Sequence, residues 1–289
     1  MHGTVDGFSY GLVIPLVAYL MACLGGALGL RCTTRAQLAP HSWRAGWLAL
    51  GSAALGSGIW TMHFIAMMGF TVREAPVHYD RPTMYASLVV PVVMVGIGIF
   101  MVGYRGATGS ALFTGGTITG LGVASMHYLG MAGMRLDGRL EYNTLTVAAS
   151  VVIAVVAATA ALWAAGQVRG VLWSLGASLV MGLAVSGMHY TGMAAVSVHL
   201  HGASGGPTGG ESPAALLAPM LIGPFAFLLL AGVVVVFDPL MAAGGADRAL
   251  AERKPGVPAP GLVRHSARRA GLRPRRPVAH RGPRTPQKR

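Results

Sequence analysis

The sequence predicts an all-α fold: a polytopic membrane helix bundle of seven transmembrane helices, with its N-terminus outside and its C-terminus cytoplasmic. Three observations carry this. Hydrophobic residues make up 53% of the chain and charged residues only 11%, where a soluble domain carries about 25% charge. Seven long apolar runs are present. The basic residues fall unevenly among the segments that connect them.

A hydrocarbon core of about 30 Å needs roughly 20 apolar residues in helical form. Runs of that length cover residues 8–30, 45–70, 83–104, 110–134, 144–166, 171–197 and 214–237, and none contains Lys, Arg, Asp or Glu. In lipid the backbone must satisfy its own hydrogen bonds, which makes helices the reading for each run. Many of the 42 glycines lie inside the runs, where small residues let helices approach closely. Pro15 and Pro91 are expected to kink theirs. The opening MHGTVDGF lacks a basic n-region and the first run is too long for an h-region, so it is expected to remain as a spanning helix.

Orientation follows from Lys and Arg. Arg31, Arg35 and Arg44 follow the first run, Arg105 the third and Arg169 the fifth. Thirteen Lys and Arg lie from Asp238 onward, so the net charge of +13 is largely a property of the tail. Two domains are expected: a membrane domain over 1–237 and a basic, Pro/Arg-rich disordered cytoplasmic tail over 238–289, too polar to bury a core. The tail reads as a positive-inside anchor that meets membrane lipids or a partner. It has no aromatics for base stacking, which argues against nucleic acid. Cys23 and Cys32, in or near the cytoplasmic half of the first helix, are not expected to form a disulfide.

An internal repeat organises the chain. Segments 56–70, 120–134 and 182–196 align without gaps. Each has Gly seven residues before a histidine (Gly56, Gly120, Gly182) and Met just before it (Met62, Met126, Met188). The histidines are His63, His127 and His189. An aromatic follows (Phe64, Tyr128, Tyr190), then a small residue at +3 (Ala66, Gly130, Gly192) and Met at +4 (Met67, Met131, Met193). A weaker echo matches Tyr79-Asp80 and Ser87 to Tyr142-Asn143 and Ser150. The motifs sit on even-numbered helices that all run outward. Each histidine is seven or eight residues from the outer end of its run, roughly 10–12 Å at 1.5 Å per residue. Three imidazoles at one depth can converge if these helices are neighbours. Histidine and the +4 methionine share a helix face.

Three readings of the constellation stay open. Met fills core gaps and histidine bonds across membrane helices, so packing alone is one. A metal site is the second. Imidazole with thioether and no carboxylate points to copper. Haem held by histidines on facing helices is the third. Ionisable groups inside spans are functional by default expectation.

Met62-His63-Phe64, Met126-His127-Tyr128 and Met188-His189-Tyr190-Thr191 resemble the three motifs of the bacterial MHYT domain family, and the likeness covers roughly residues 8–237. The resemblance implies a multi-pass sensor in the bacterial inner (plasma) membrane, proposed to bind copper and to sense oxygen, carbon monoxide or nitric oxide. The implied ligands are Met62, His63, Met126, His127, Tyr128, Met188, His189 and Tyr190; the helical-face argument adds Met67, Met131 and Met193. Phe64 departs from the pattern. Family members often carry a cytoplasmic output domain, for which 238–289 has no room, so a separate cytoplasmic signalling partner is expected. The alternative is a transporter of copper or another small solute, or a haem-binding redox protein. The spans hold no carboxylate pair and no nucleophile–base arrangement, so a non-enzyme is expected.

Overall fold

A computed structural model describes residues 5–6, 11–72, 78–136, 138–167, 171–200 and 213–238. The chain divides into Met1–Gly245 and Ala246–Arg289; everything described belongs to the first unit. The expected disordered tail, except for Asp238, lies outside the described residues.

All seven runs are helices: α1 Val13–Leu38, α2 His41–Met68, α3 Arg81–Arg105, α4 Gly109–Ala132, α5 Thr144–Gln167, α6 Val171–Ala194 and α7 Pro213–Val236. Six are long and apolar enough to cross a membrane; α4 is not among them. Its sequence, GSALFTGGTITGLGVASMHYLGMA, is diluted by Gly, Thr and Ser.

Helix α1 continues past the run, through Arg31 and Arg35 to Leu38, and only Ala39 and Pro40 separate it from α2. The arginines expected in a loop are therefore on helix ends. Arg35 donates from Nε to Asp238 Oδ1 at 2.8 Å, and its guanidinium lies over Trp47, 5.0 Å from the ring centroid. Arg44 hydrogen-bonds the Gly103 carbonyl. Pro15 lies in the first turn of α1, where its missing N–H would have had no intrahelical partner, so the expected kink has no basis. Pro91 is inside α3, and Pro219 and Pro224 are inside α7.

Helices α1 to α6 close a ring: each packs on the next, and α6 returns to α1. Helix α7 packs outside it on α2 and α1. The contacts made by the −7 glycines follow the ring. A Cβ at Gly56 would meet Val92 Cα of α3 at 2.8 Å, and one at Gly120 would meet Val155 Cα of α5 at 2.5 Å. At Gly182 it would meet Cys23 Sγ of α1 at 2.5 Å. The glycine therefore seats the odd helix that comes next around the ring.

Short strands that the sequence did not foretell join the helix ends: β1 Val5–Asp6, β2 Thr71–Val72, β3 His78–Tyr79, β4 Met134–Arg135, β5 Gly138–Tyr142 and β6 Val196–Leu200. The antiparallel pairs are β1–β2, β3–β4 and β5–β6. The repeat is thus strand–odd helix–even helix–strand, three times over, each helix hairpin closed by its own ribbon at the histidine end.

The echo between odd helices is a cap. Asp80 accepts hydrogen bonds from the Thr83 backbone N–H at 3.0 Å and from its hydroxyl. Asn143 accepts from the Thr146 N–H at 3.1 Å and hydroxyl at 3.2 Å. Both satisfy orphan donors of a first turn. The Thr83 bonds hold the Asp80 carboxyl below the usual carboxylate range. A lowered carboxyl pKa adds stability that is complete above the unfolded value and lost as pH falls through the folded one. Asp80→Asn, copying Asn143, is therefore expected to hold α3 equally at neutral pH and to remove acid sensitivity below about pH 4. Thermal unfolding against pH checks this, and identical acid profiles would refute it.

Candidate metal centre

Each histidine lies five residues before the last residue of its helix: His63 in α2, His127 in α4 and His189 in α6. That is about 7.5 Å of helix, nearer the end than the runs implied, because the helices stop where the closing ribbons begin. All three are buried, with exposures of 1%, 0% and 1%. The three even helices touch one another at the ring's centre, and the imidazoles converge there.

Their Nδ1 atoms form a triangle. His63 to His189 is 3.1 Å, His127 to His63 3.2 Å and His189 to His127 3.2 Å. Every pair of ring centroids is 5.0 Å apart, with edge-on planes at 83°, 80° and 89°. The threefold repeat of the sequence is thus a threefold site in space.

The triangle poses a hydrogen-bonding conflict. In a neutral imidazole Nδ1 carries either a proton or a lone pair, and a hydrogen bond needs one of each. Among three nitrogens at least two must be alike. So at least one of the three close contacts sets proton against proton or lone pair against lone pair. A cation that accepts three lone pairs removes the conflict. The size agrees: nitrogens 3.1–3.2 Å apart lie about 1.8 Å from their centre, and metal–imidazole bonds run about 2.0–2.1 Å. One small ion fits against all three. Among the described residues this is the group of His, Cys, Asp or Glu side chains arranged to hold a metal.

The outer edges of the rings explain the small residue at +3. A Cβ at Gly130 would come within 2.6 Å of His63 Nε2, and one at Gly192 would strike His127 Nε2. Each glycine thus makes room for the histidine of the preceding repeat. His63 Nε2 and His127 Nε2 are buried with no hydrogen-bond partner among the described residues.

The other candidate ligands divide. Met62, Met126 and Met188 are buried to within 1%. Met67 and Met131 are equally buried, whereas Met193 is only partly so. Tyr190 is partly buried, its ring edge-on to His189 at 5.1 Å. Tyr128 packs edge-on to His127 at 4.8 Å, but its hydroxyl meets Ser150 Oγ on α5 at 2.6 Å. Ser150 gives its own proton to the Val147 carbonyl at 2.8 Å, so Tyr128 is the donor.

The same task falls to another residue in the first repeat. Phe64 has no hydroxyl, and Trp60, one turn earlier on the same face, donates from Nε1 to Ser87 Oγ at 3.0 Å. Ser87 likewise donates to Met84 O, at 2.6 Å. These aromatics tie α2 and α4 each to a serine of the next odd helix, Ser87 of α3 and Ser150 of α5. Tyr128→Phe is accordingly expected to cost about 0.5–1.5 kcal/mol in unfolding and to leave metal affinity unchanged. A tenfold weaker affinity, measured by chelator competition, would instead make the phenol a ligand.

A polytopic-type helical ring with a buried, threefold histidine centre is the class these features define. The chain carries MHYT repeats over residues 56–178: the family described as the N-terminal repeat of bacterial signalling proteins matches residues 56–115 and 120–178. It is similar to the bifunctional diguanylate cyclase/cyclic di-GMP phosphodiesterase MucR of Pseudomonas aeruginosa, 34% identical over 80% of this chain and 34% of the relative. It is similar also to the cyclic di-GMP phosphodiesterase NbdA of the same organism, 35% identical over 66% of this chain and 26% of the relative. The signalling protein YkoW of Bacillus subtilis is 28% identical over 66% of this chain and 24% of the relative. The chain thus spans about a third or less of these relatives' length. No solved structure matches it.

Proposed function

We propose that this protein is a membrane sensor whose three-histidine centre holds one copper ion and reports a diatomic gas or redox state to a signalling partner. The single observation that carries the reading is the Nδ1 triangle, one corner from each repeat, which no arrangement of imidazole protons satisfies. The matching family is a repeat of bacterial signalling proteins, and one named relative is itself a signalling protein, which supports a sensory role.

The ligand chemistry favours Cu(I). Three neutral imidazoles contribute no negative charge, and no carboxylate among the described residues shares the site. The desolvation cost of an ion rises steeply with its charge, so a monovalent ion suits this pocket better than a divalent one. Soft thioethers next to each histidine point the same way. His63, His127 and His189 would hold the ion, and copper would supply an open position for a small ligand. The chain's own residues hold the imidazoles: the +3 glycines by leaving room, the ribbons by fixing the helix ends. Rings in edge contact favour a single ion over haem, whose macrocycle needs a gap between axial nitrogens. Ile59, Val123 and Val185, one turn below the histidines, line an apolar space, a poor path for an ion and an argument against transport.

We further propose that α4 spans the membrane with the other six, since it lies in the ring between α3 and α5, that the tail end is cytoplasmic, and that the membrane is the bacterial inner one. The signal would leave through a cytoplasmic partner, and the chain itself would catalyse no reaction.

Metal content and the optical spectrum of the purified chain test the centre. One copper per chain and no Soret band are expected. A Soret band, or a chain that binds no copper when loaded with Cu(I), would overturn it.

A further inference from the structure

Below the histidines the ring encloses a chamber built by the same threefold rule. Its first tier is Ile59, Val123 and Val185, four residues before each histidine, and its second is Leu55, Thr119 and Met181, eight before. Residues at i−4 and i−8 lie on the histidine's own helix face, so the chamber is coaxial with the nitrogen triangle. Ala154 and Ala158 of α5 form a wall, and Met188 closes the end toward the triad. A second cavity continues inward from the tier of Leu55, Thr119 and Met181 to Val95, Ile99 and Leu162.

The lining decides what can occupy it. Thr119 supplies the tiers' hydroxyl, and that group is turned to the Met94 carbonyl at 3.4 Å. Thr33, beside the inner cavity, is bonded to the Gly29 carbonyl at 2.9 Å. A buried water needs two to four polar partners, whereas a dry apolar cavity takes up apolar guests such as xenon. Ions and polar solutes are excluded on the same ground.

We propose that this chamber is a binding site for a small, uncharged, apolar molecule, held against the inner side of the histidine centre. The histidine face of each helix thus does two jobs: polar at the triad, where a cation fits, and apolar a turn below, where a gas fits. A guest reaches the triad by passing the tier one turn below it. The proposal rests on the sensing reading for the identity of the natural ligand but not for the existence of the site.

Xenon tests it without the metal. Crystals of the full chain under xenon pressure are expected to show an anomalous peak between Val123 and Ala158. Ala158→Leu fills the space and is expected to cut occupancy about tenfold; Val123→Ile, a single added methylene, gives a milder loss with less strain. Copper content of the same preparations is measured separately, so loss of copper with xenon retained would sink the metal reading alone. Absence of the peak from the unsubstituted chain, or equal occupancy in both variants, would overturn the chamber.

Discussion

Replacing any one of His63, His127 and His189 by alanine is expected to abolish stoichiometric copper binding, with affinity falling more than about a hundredfold. Loss of an outer-shell partner already costs 10–100-fold at metal sites, and here a ligand itself goes. The three corners are equivalent, with Nδ1 separations of 3.1, 3.2 and 3.2 Å, so the three variants are expected to fail alike. Stability separates this outcome from simple loss of packing. An ion that binds only the folded chain adds about 2.7 kcal/mol when present at a hundred times its dissociation constant. The parent protein should therefore gain thermal stability on adding Cu(I), and each variant should not. Without metal, the variants have a compensation. Two remaining nitrogens can form one good N–H···N bond and leave no close contact in conflict, which three cannot, and this relief offsets part of the cavity the alanine leaves. A triple-alanine variant that still takes up one copper with the parent's thermal shift would place the metal elsewhere. A parent protein that unfolds equally with and without copper would make the triangle a packing device.

How much of this was legible before the structure depends on the range of each interaction. The helices were, because spanning runs are a property of contiguous residues; all seven appear, shifted by a few positions at most ends. Helix α1 is the exception, since Arg31 and Arg35 read as the end of a span. Arg35 instead finds Asp238, 203 positions away, a partner no local pattern announces. The three histidines at one depth were legible from the repeat, but their contact was not, because nothing in the spacing says that α2, α4 and α6 meet at an axis. The ribbons escaped notice because strands of two to five residues have no periodicity to read. The partner of the motif tyrosine was hidden for a different reason. A phenol beside a histidine looks like a ligand, and only the position of Ser150 on α5 shows where the Tyr128 hydroxyl goes. Trp60 doing the same for Ser87 could have been found: it stands four residues before Phe64, on the same face, in the one repeat that lacks a phenol.

The smallest substitution with a large expected effect is Gly130→Ala. Its Cβ would lie 2.6 Å from His63 Nε2, 3.2 Å from His63 Cδ2 and 3.2 Å from Phe64 Cζ. The ring cannot retreat, since its opposite edge is in contact with His127 and His189 at 3.1–3.2 Å. Inserting one methyl group should therefore cost about 1–3 kcal/mol of stability, as overpacking of a tight core does, and displace one corner of the triangle. Copper affinity is expected to fall about tenfold with it, since ligand geometry is what a supporting residue fixes. Gly187→Ala is the control. It lies in the third motif, two residues before His189, and a Cβ there meets nothing within 4 Å. Alanine within a helix gains about 0.5–1 kcal/mol over glycine, so this variant should be as stable as the parent or more so, with copper binding intact. Gly192→Ala, which strikes His127 Nε2 in the same way, should behave like Gly130→Ala. Chemical unfolding with a Cu(I) competition titration on the three variants reads both quantities. If Gly130→Ala matches Gly187→Ala in stability and affinity, the glycine at +3 is not what positions the histidine of the preceding repeat.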